Sequence, residues 1–212
     1  VILISLLIAL ALNNLKGKTS TLFRSIFFIP AVLSLVTVGL IWNELFLRAF
    51  PPIGEALGIE WLSKSILGSP ATAIFGILIV NLWQGCATPT VLLLAGLQSV
   101  PSDLYEAATI DGANAWQKFK NITVPFLIPI ITMLVITTTK GGLTIFDYIQ
   151  AMTAGGPAQS TEAIGILIYR HAMSEGKFAQ SVAESMCLFV IVAIVSFLTI
   201  KISSKKEVGD DT

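Results

Sequence analysis

The sequence predicts an all-α integral membrane protein, and two features of its composition support this fold class. Hydrophobic residues make up 54% of the 212 residues, whereas Asp, Glu, Lys and Arg together make up 12%. Soluble domains carry roughly 25% charged residues, so a water-soluble globule of this length would lack the charge to cover its surface. Thirteen basic and thirteen acidic residues also cancel, so the charge balance does not suggest a nucleic-acid-binding protein.

Five apolar runs give the predicted topology. The first run, residues 1–12, is shorter than the roughly 20 residues that a transmembrane helix needs. We interpret it as the remnant of a span and the chain as N-terminally truncated. The four longer runs are each long enough to cross the bilayer, and they cover residues 26–46, 71–97, 125–149 and 185–202.

The distribution of Lys and Arg between these runs predicts the orientation. Three segments share eight basic residues, namely Lys16, Lys18, Arg24, Lys118, Lys120, Lys201, Lys205 and Lys206. The two alternate loops share four, namely Arg48, Lys64, Arg170 and Lys177. Because cytoplasmic loops carry the excess of positive charge, residues 98–124 and the C-terminus are predicted to be cytoplasmic.

The predicted cytoplasmic loop contains a segment, residues 101–121, with the pattern of two helices joined at a glycine. Asp103 and Glu106 stand three residues apart, a capping-box spacing that predicts a helix beginning just after Pro101. Capping that helix is one possible role of Glu106. Gly112 is placed to end the helix in a left-handed conformation. We call this segment the elbow.

The second helix of the elbow is predicted from Asn114 and Gln117, which repeat the capping-box spacing. It should run to about Asn121, so that the whole elbow lies along the membrane face. Small and apolar residues recur about one turn apart on the first helix, at Leu104, Ala107, Ala108 and Ile110. This pattern fits either a helix resting on lipid or a rigid knob that inserts into a groove on a cytosolic partner, and physical grounds leave both open.

Two groups of motifs carry a family resemblance. The first is Glu106-Ala107-Ala108, Asp111-Gly112-Ala113 and Ile122-Thr123-Val124-Pro125. It resembles the EAA loop of permease subunits from binding-protein-dependent ABC importers, with Val124 in place of the usual Leu. The second is Phe146-Asp147-Tyr148, Thr153-Ala154-Gly155-Gly156-Pro157 and Ser160-Thr161. It is similar to the carbohydrate-uptake, maltose-type branch of these permeases.

The resemblance implies an ABC importer type I transmembrane domain that forms one permease domain over residues 1–212. Permeases of this family usually carry six core spans, so five are expected here, with the first missing and the second partial. The resemblance also implies that the elbow couples to a separate ATPase subunit through Glu106, Ala107, Ala108, Asp111 and Gly112. Glu106 would make an ionic contact, the alanines would allow close packing, and Gly112 would form the corner.

The implied function is that of the transmembrane permease subunit of an ATP-driven sugar importer, which itself is not an enzyme. Its expected partners are a second homologous permease, a cytosolic ATPase dimer and an extracytoplasmic solute-binding protein. The expected location is the bacterial cytoplasmic membrane. No cofactor or metal is expected on this chain, because one His and two Cys cannot supply a metal cluster. The segment Gly17-Lys18-Thr19 is similar to the end of a phosphate-binding loop, but Leu12 stands where that motif needs its first glycine.

Three other functions are weighed against a sugar permease. The first is a membrane scaffold that recruits a cytosolic protein, and the second is an ABC permease for a solute other than a sugar. The third is an ion-driven carrier, which should hold acidic residues at mid-span. Asp147 and Glu184 instead lie near the ends of the predicted spans, and this disfavours the carrier.

Candidates for the sugar path are polar and small residues of the third and fourth runs. The resemblance implies a role for Gly85, Thr88, Thr138 and Gly142, whose positions relative to the EAA loop and Phe146 are similar to those of the family's sugar path. Lys140 is a candidate because of its charge, and further candidates are Asn81, Gln84 and Gly141. A charge near mid-span costs about 2.5–3.5 kcal/mol, so Lys140 needs a compensating environment. One interpretation is a helix bend at the two glycines, where Lys140 lines water or pairs with Asp147 or Glu44. The alternative is that Lys140 meets the carboxylate of a sugar acid.

Overall fold

The computed structural model describes residues 1–15 and 18–207, and for residues 18–20 and 202–207 it describes the backbone alone. Every regular element within these ranges is a helix. Gly17 of the pattern similar to a phosphate-binding loop and Lys16 of the basic segment lie outside the described residues. The same holds for the side chains of Lys18, Lys205 and Lys206. The described chain forms two compact units, one built from Val1–Ala31, Gly85–Thr139 and the part from Val195 onward, the other from Val32–Gln84 and Lys140–Ile194.

The first unit is organised around α6, Ala87–Ser99. The short apolar helix α1, Ile2–Asn13, packs along α6 and buries Leu12 against it. The long helix α9, Val124–Leu143, meets α6 at Gly96, where a Cβ atom would collide with the side chains of Leu127 and Ile130. A glycine therefore allows these two helices to approach closely, as is common between helices in membranes.

Three further helices complete the first unit: α2, Lys18–Val32, α7, Ser102–Ile110, and α8, Ala115–Lys118. A π-helical turn, Phe119–Thr123, joins α8 to α9. As a result Ala115–Leu143 is one helix of 29 residues.

The second unit contains α3, Leu35–Glu44, α4, Phe50–Leu57, α5, Ala73–Gly85, α10, Asp147–Met152, and α11, Ile164–Tyr169, together with the first part of α12, Phe178–Glu207. Its core forms where α10 packs on α3 and buries Val38, Ile77 and Ile149. The two helices approach closely at Gly39, where an added Cβ would lie 2.8 Å from the Cβ of Ala151.

Three helices of the described chain are long and apolar enough to cross a membrane: Ala73–Ser99, Ala115–Leu143 and Phe178–Lys201. The helices on either side of residues 33–34 would form a fourth span if the bent pair counts as one, and α1 is a shorter apolar helix. The predicted all-α membrane fold is thus confirmed, while the count of five core spans stays a prediction.

Two predicted runs differ from the structure. The run at 26–46 is not one straight helix, because α2 ends at Val32 and Ser34 is extended before α3 begins. Pro30 lies in the last turn of α2, where a missing amide donor weakens the helix. The run at 125–149 is also interrupted, because α9 ends at Leu143 and residues 147–149 belong to the separate helix α10.

Candidate coupling elbow and translocation path

The first helix of the elbow begins at Ser102, as predicted, but the predicted capping box is absent. Pro101 occupies the N-cap position, and no side chain forms a cap hydrogen bond at this end of α7. Asp103 already lies inside the first turn, where its carboxylate can interact favourably with the helix dipole. The box fails because the helix begins two residues before the spacing requires, so capping does not explain the presence of Glu106.

The predicted corner at Gly112 is confirmed. Gly112 has φ +76°, and its amide donates to the Thr109 carbonyl over 3.1 Å. The amide of Ala113 donates to the Ala108 carbonyl over 2.8 Å. These two bonds form a Schellman motif, which satisfies carbonyls that the helix end would leave without donors. No atom lies within 4 Å of the position where a Cβ would stand, so conformation, not space, requires a glycine here.

The second helix of the elbow has the predicted capping box. The Gln117 amide donates to the Asn114 side-chain oxygen over 2.9 Å, and the Asn114 amide donates to the Gln117 side chain over 2.7 Å. The predicted end near Asn121 is wrong, because this helix continues into α9. A displacement of α8 would therefore act on the base of a membrane helix.

Two side-chain hydrogen bonds hold the first helix of the elbow against the second. Lys118 donates from Nζ to the Thr109 hydroxyl over 2.7 Å. The hydroxyls of Tyr105 and Thr123 form a bond of 2.8 Å. Since Lys118 lies on α8 and Thr123 lies in the π-helical turn below α9, both bonds tie α7 to the continuous helix. The elbow is thus braced as a unit.

Most side chains of the elbow are exposed to solvent. No residue of α7 is buried, Ile110 is 87% exposed and Trp116 is 68% exposed. Glu106 is also exposed, and no salt bridge involves it within the described part of the chain. Large exposed apolar side chains beside an unpaired carboxylate are typical of a surface that another molecule covers.

The candidate path residues are divided between the two units. Gly85, Thr88 and Thr138 belong to the first unit, whereas Lys140 and Gly142 belong to the second. Thr88 is exposed in the first turn of α6. Thr138 is half-buried, and its hydroxyl donates to the Leu134 carbonyl over 2.6 Å. The hydroxyl of Thr138 keeps its oxygen lone pairs for an incoming donor.

The structure shows neither the helix bend nor the ion pair that one interpretation of Lys140 predicted. The α-helix continues through both following glycines to Leu143, so it does not break at them. Lys140 is exposed and has no salt bridge among residues 1–15 and 18–207. Glu44 pairs instead with Arg48 over 2.9 Å. The predicted pairing of Lys140 with Glu44 or Asp147 is therefore wrong.

Gln84 is buried and its amide is engaged inside the second unit. Only 6% of the residue is exposed. Its Nε2 donates to the Leu33 carbonyl over 2.8 Å, and its Oε1 accepts from the Tyr148 hydroxyl over 2.7 Å. The carbonyl of Leu33 lies at the break before α3, where it has no helical donor. Gln84 thus supports the break, and in this conformation its amide does not face a sugar path.

Sequence reasoning missed an aromatic cluster in the second unit. Trp42 lies 5.7 Å from Trp83 and 5.4 Å from Phe46, measured between ring centroids, and Phe50 adjoins both Trp42 and Phe46. The signal was present as aromatic residues at positions 42, 46 and 50, which share one face of a helix. Trp83 is partly exposed.

Comparison with known proteins places these features in a family. Residues 1–205 match the family described as binding-protein-dependent transport system inner membrane component. The multiple sugar-binding transport system permease protein MsmF of Streptococcus mutans is 47% identical over 208 residues, which are 98% of this chain and 71% of that protein. The trehalose/maltose transport system permease protein MalF of Thermococcus litoralis is 35% identical over 94% of this chain and 68% of its own length.

A solved structure agrees with the fold. A chain of the bacterial ABC transporter that imports the acidic polysaccharide alginate superimposes with a TM-score of 0.83, at 22% identity, over 95% of this chain and 71% of that chain. The predicted transmembrane domain of an ABC importer is thereby confirmed, and so is the resemblance to permeases of the carbohydrate-uptake branch. The chain belongs to the family of binding-protein-dependent transport system inner membrane components.

Proposed function

We propose that this chain is a transmembrane permease subunit of an ATP-driven sugar importer and that its elbow couples it to a separate ATPase. The observation that carries the coupling proposal is the exposed elbow, which is braced internally and continuous with α9. Because the elbow is already held in one conformation and continues into α9, a partner that moves the elbow would directly tilt a membrane helix. This mechanical link suits alternating access, in which a path opens to one face of the membrane at a time.

The proposed contact with the ATPase involves residues with distinct tasks. Glu106 offers a carboxylate to a basic residue of the ATPase, and Ala107 and Ala108 allow the two backbones to approach. Gly112 sets the angle of the corner, and the adjoining Asp111 caps the end of α7. The exposed side chain of Ile110 supplies apolar area for the same contact.

The proposed partners are a second homologous permease, a cytosolic ATPase dimer and an extracytoplasmic solute-binding protein. A sugar is proposed as substrate because relatives are named for multiple sugars and for trehalose and maltose. The excess of basic residues supports an orientation in which the elbow and the C-terminus are cytoplasmic. Gly85, Thr88, Thr138, Lys140 and Gly142 are proposed to line the sugar path.

Cross-linking in the assembled transporter tests the coupling. A cysteine introduced as Ile110→Cys, in a Cys187→Ser background that removes an exposed native thiol, should cross-link to the ATPase subunit. Leu57→Cys is the matched control, because Leu57 is also a strongly exposed apolar residue but lies in the predicted outer loop. An Ile110→Cys protein labelled only from outside the cell, or one that links to no ATPase, would overturn the proposal.

Uptake measurements test whether Lys140 selects an acidic substrate. Lys140→Met removes the charge and keeps an unbranched apolar chain. If Lys140 meets a substrate carboxylate, uptake of acidic sugars should fall about tenfold or more while uptake of neutral sugars is retained, because a charge-assisted hydrogen bond contributes roughly 1.5–3 kcal/mol. Equal losses for both classes of sugar would contradict this role. Transport of neither class by the unaltered transporter would favour a solute other than a sugar.

A further inference from the structure

A groove of about 330 Å³ lies between α2 and α6 in the first unit. Polar residues line one end of the groove, and apolar residues line the rest. Arg24 and Ser25 come from the part of α2 that follows the predicted cytoplasmic segment, and Gln98 lies one residue from the end of α6 that leads into the elbow. The remaining walls are apolar and include Phe28 and Leu94.

Within the described part of the chain, no acidic group neutralises the guanidinium of Arg24. Its Nε atom is buried and has no hydrogen-bond partner in the structure, and no salt bridge of the described residues involves Arg24. Neither α2 nor α6 contains an acidic residue. A buried donor without an acceptor is costly, particularly when the group is charged. An anion from outside the chain would remove this cost.

The donors at the polar end of the groove are suited to a phosphate. Arg presents several N–H groups in a planar fork that matches phosphate oxygens. The Gln98 side chain is exposed and makes no hydrogen bond within the described ranges, so its amide can also donate. The Ser25 hydroxyl donates instead to the Thr21 carbonyl over 3.1 Å.

The apolar walls distinguish a lipid from a free anion. Phe28 and Val91 are both partly exposed along the groove. A free phosphate would leave these surfaces uncovered, whereas a phospholipid would cover them with a chain. Cytoplasmic leaflets also carry anionic lipids, which basic residues near the surface attract.

We infer that this groove binds one anionic phospholipid of the cytoplasmic leaflet. Its phosphate accepts hydrogen bonds from Arg24 and Gln98, and one acyl chain lies against Phe28, Val91 and Leu94. The assignment of the leaflet rests on the proposed orientation, whereas the lipid site itself rests on the geometry of the groove.

Lipid binding to the assembled transporter tests this inference. The transporter is reconstituted in nanodiscs of phosphatidylcholine with increasing phosphatidylglycerol, and the lipid retained after extraction is counted by native mass spectrometry. Arg24→Gln should weaken phosphatidylglycerol retention about fivefold, because one basic residue near the membrane surface contributes about 1 kcal/mol. Arg48→Gln is the matched control, because it removes an exposed Arg charge elsewhere and should leave retention unchanged.

A second variant separates the apolar part of the groove from its charge. Ala95→Leu fills the groove without altering Arg24 and should also weaken phosphatidylglycerol retention, even if Arg24→Gln fails to fold. Equal retention by Ala95→Leu and the unaltered protein would overturn the inference. So would equal retention of phosphatidylcholine, or displacement of the lipid by inorganic phosphate alone. Retention by the isolated permease but not by the assembled transporter would also overturn the inference, because a partner protein would then cover the groove.

Discussion

The elbow and helix α10 are both short helical segments next to a long membrane helix, yet they are held in opposite ways. No residue of α7 is buried, and of the four side chains that form its bracing bonds to α8 and to the turn before α9 only Thr123 is buried. In contrast, α10 buries Tyr148, Ile149 and Met152 and packs directly on α3. The elbow thus presents its residues to another molecule, whereas α10 uses its residues for the core of its own unit.

The glycines of the two regions show the same contrast. Gly112 has a positive φ and open space around it, so its task is to set a backbone direction. Gly39 is helical and faces Ala151 of α10, where a Cβ would come within 2.8 Å of the alanine's Cβ. Gly39 therefore allows α3 and α10 to pack closely. A substitution at Gly112 should therefore affect coupling, and a substitution at Gly39 should affect stability.

The largest expected effect is that of Gly112→Val. A β-branched residue is a strong outlier at positive φ, so the corner should open and transport should be abolished while membrane insertion is retained. Gly112→Asn is the matched control, because Asn tolerates the left-handed region, and it should keep most of the transport activity. Uptake by whole cells and the amount of protein in membranes measure the two effects. Full transport by Gly112→Val would contradict the role of the corner.

The second prediction concerns the contact between α3 and α10. Gly39→Ala should lower the free energy of unfolding by about 1–3 kcal/mol, because a methyl group is forced into a filled space. The compensating double variant Gly39→Ala with Ala151→Gly moves the methyl group across the contact and should recover most of that loss. Thermal unfolding of the detergent-purified protein measures both. If the double variant were no more stable than Gly39→Ala, the direct contact would not be the cause.

Features that depend on local spacing were predictable from the sequence. The left-handed corner at Gly112 and the capping box of Asn114 and Gln117 involve residues within a few positions of each other. The apolar runs likewise fixed the helical class, because hydropathy over 20 residues is a strong signal. The capping box of Asp103 and Glu106 failed because Pro101 begins the helix earlier than the spacing alone suggests.

Features that depend on contacts between distant residues were not predictable. Gln84 was a candidate for contact with a sugar because polar residues in spans often line a path, but its amide donates a hydrogen bond to a carbonyl 51 residues away. One interpretation of Lys140 included a pair with Asp147 or Glu44, but Glu44 instead binds Arg48 one helical turn further along. Spacing cannot show which of several polar groups lies nearest in space, so these side chains needed the structure.

The smallest expected effect belongs to Gln84, which joins the break before α3 to α10. Gln84→Leu leaves the Leu33 carbonyl and the Tyr148 hydroxyl without partners, and interhelical hydrogen bonds in membranes contribute about 0.6–1.7 kcal/mol. We expect a loss of stability in that range, below that of Gly39→Ala. The double variant Gln84→Leu with Tyr148→Phe should recover part of the loss, because the buried hydroxyl is removed with its partner. Thermal unfolding measures the difference, and additive losses in the double variant would show that the two side chains act independently. Additivity would mean that the hydrogen bond between Gln84 and Tyr148 does not hold α10, which would leave its buried side chains and the close contact at Gly39 as the contrast with the hydrogen-bonded elbow.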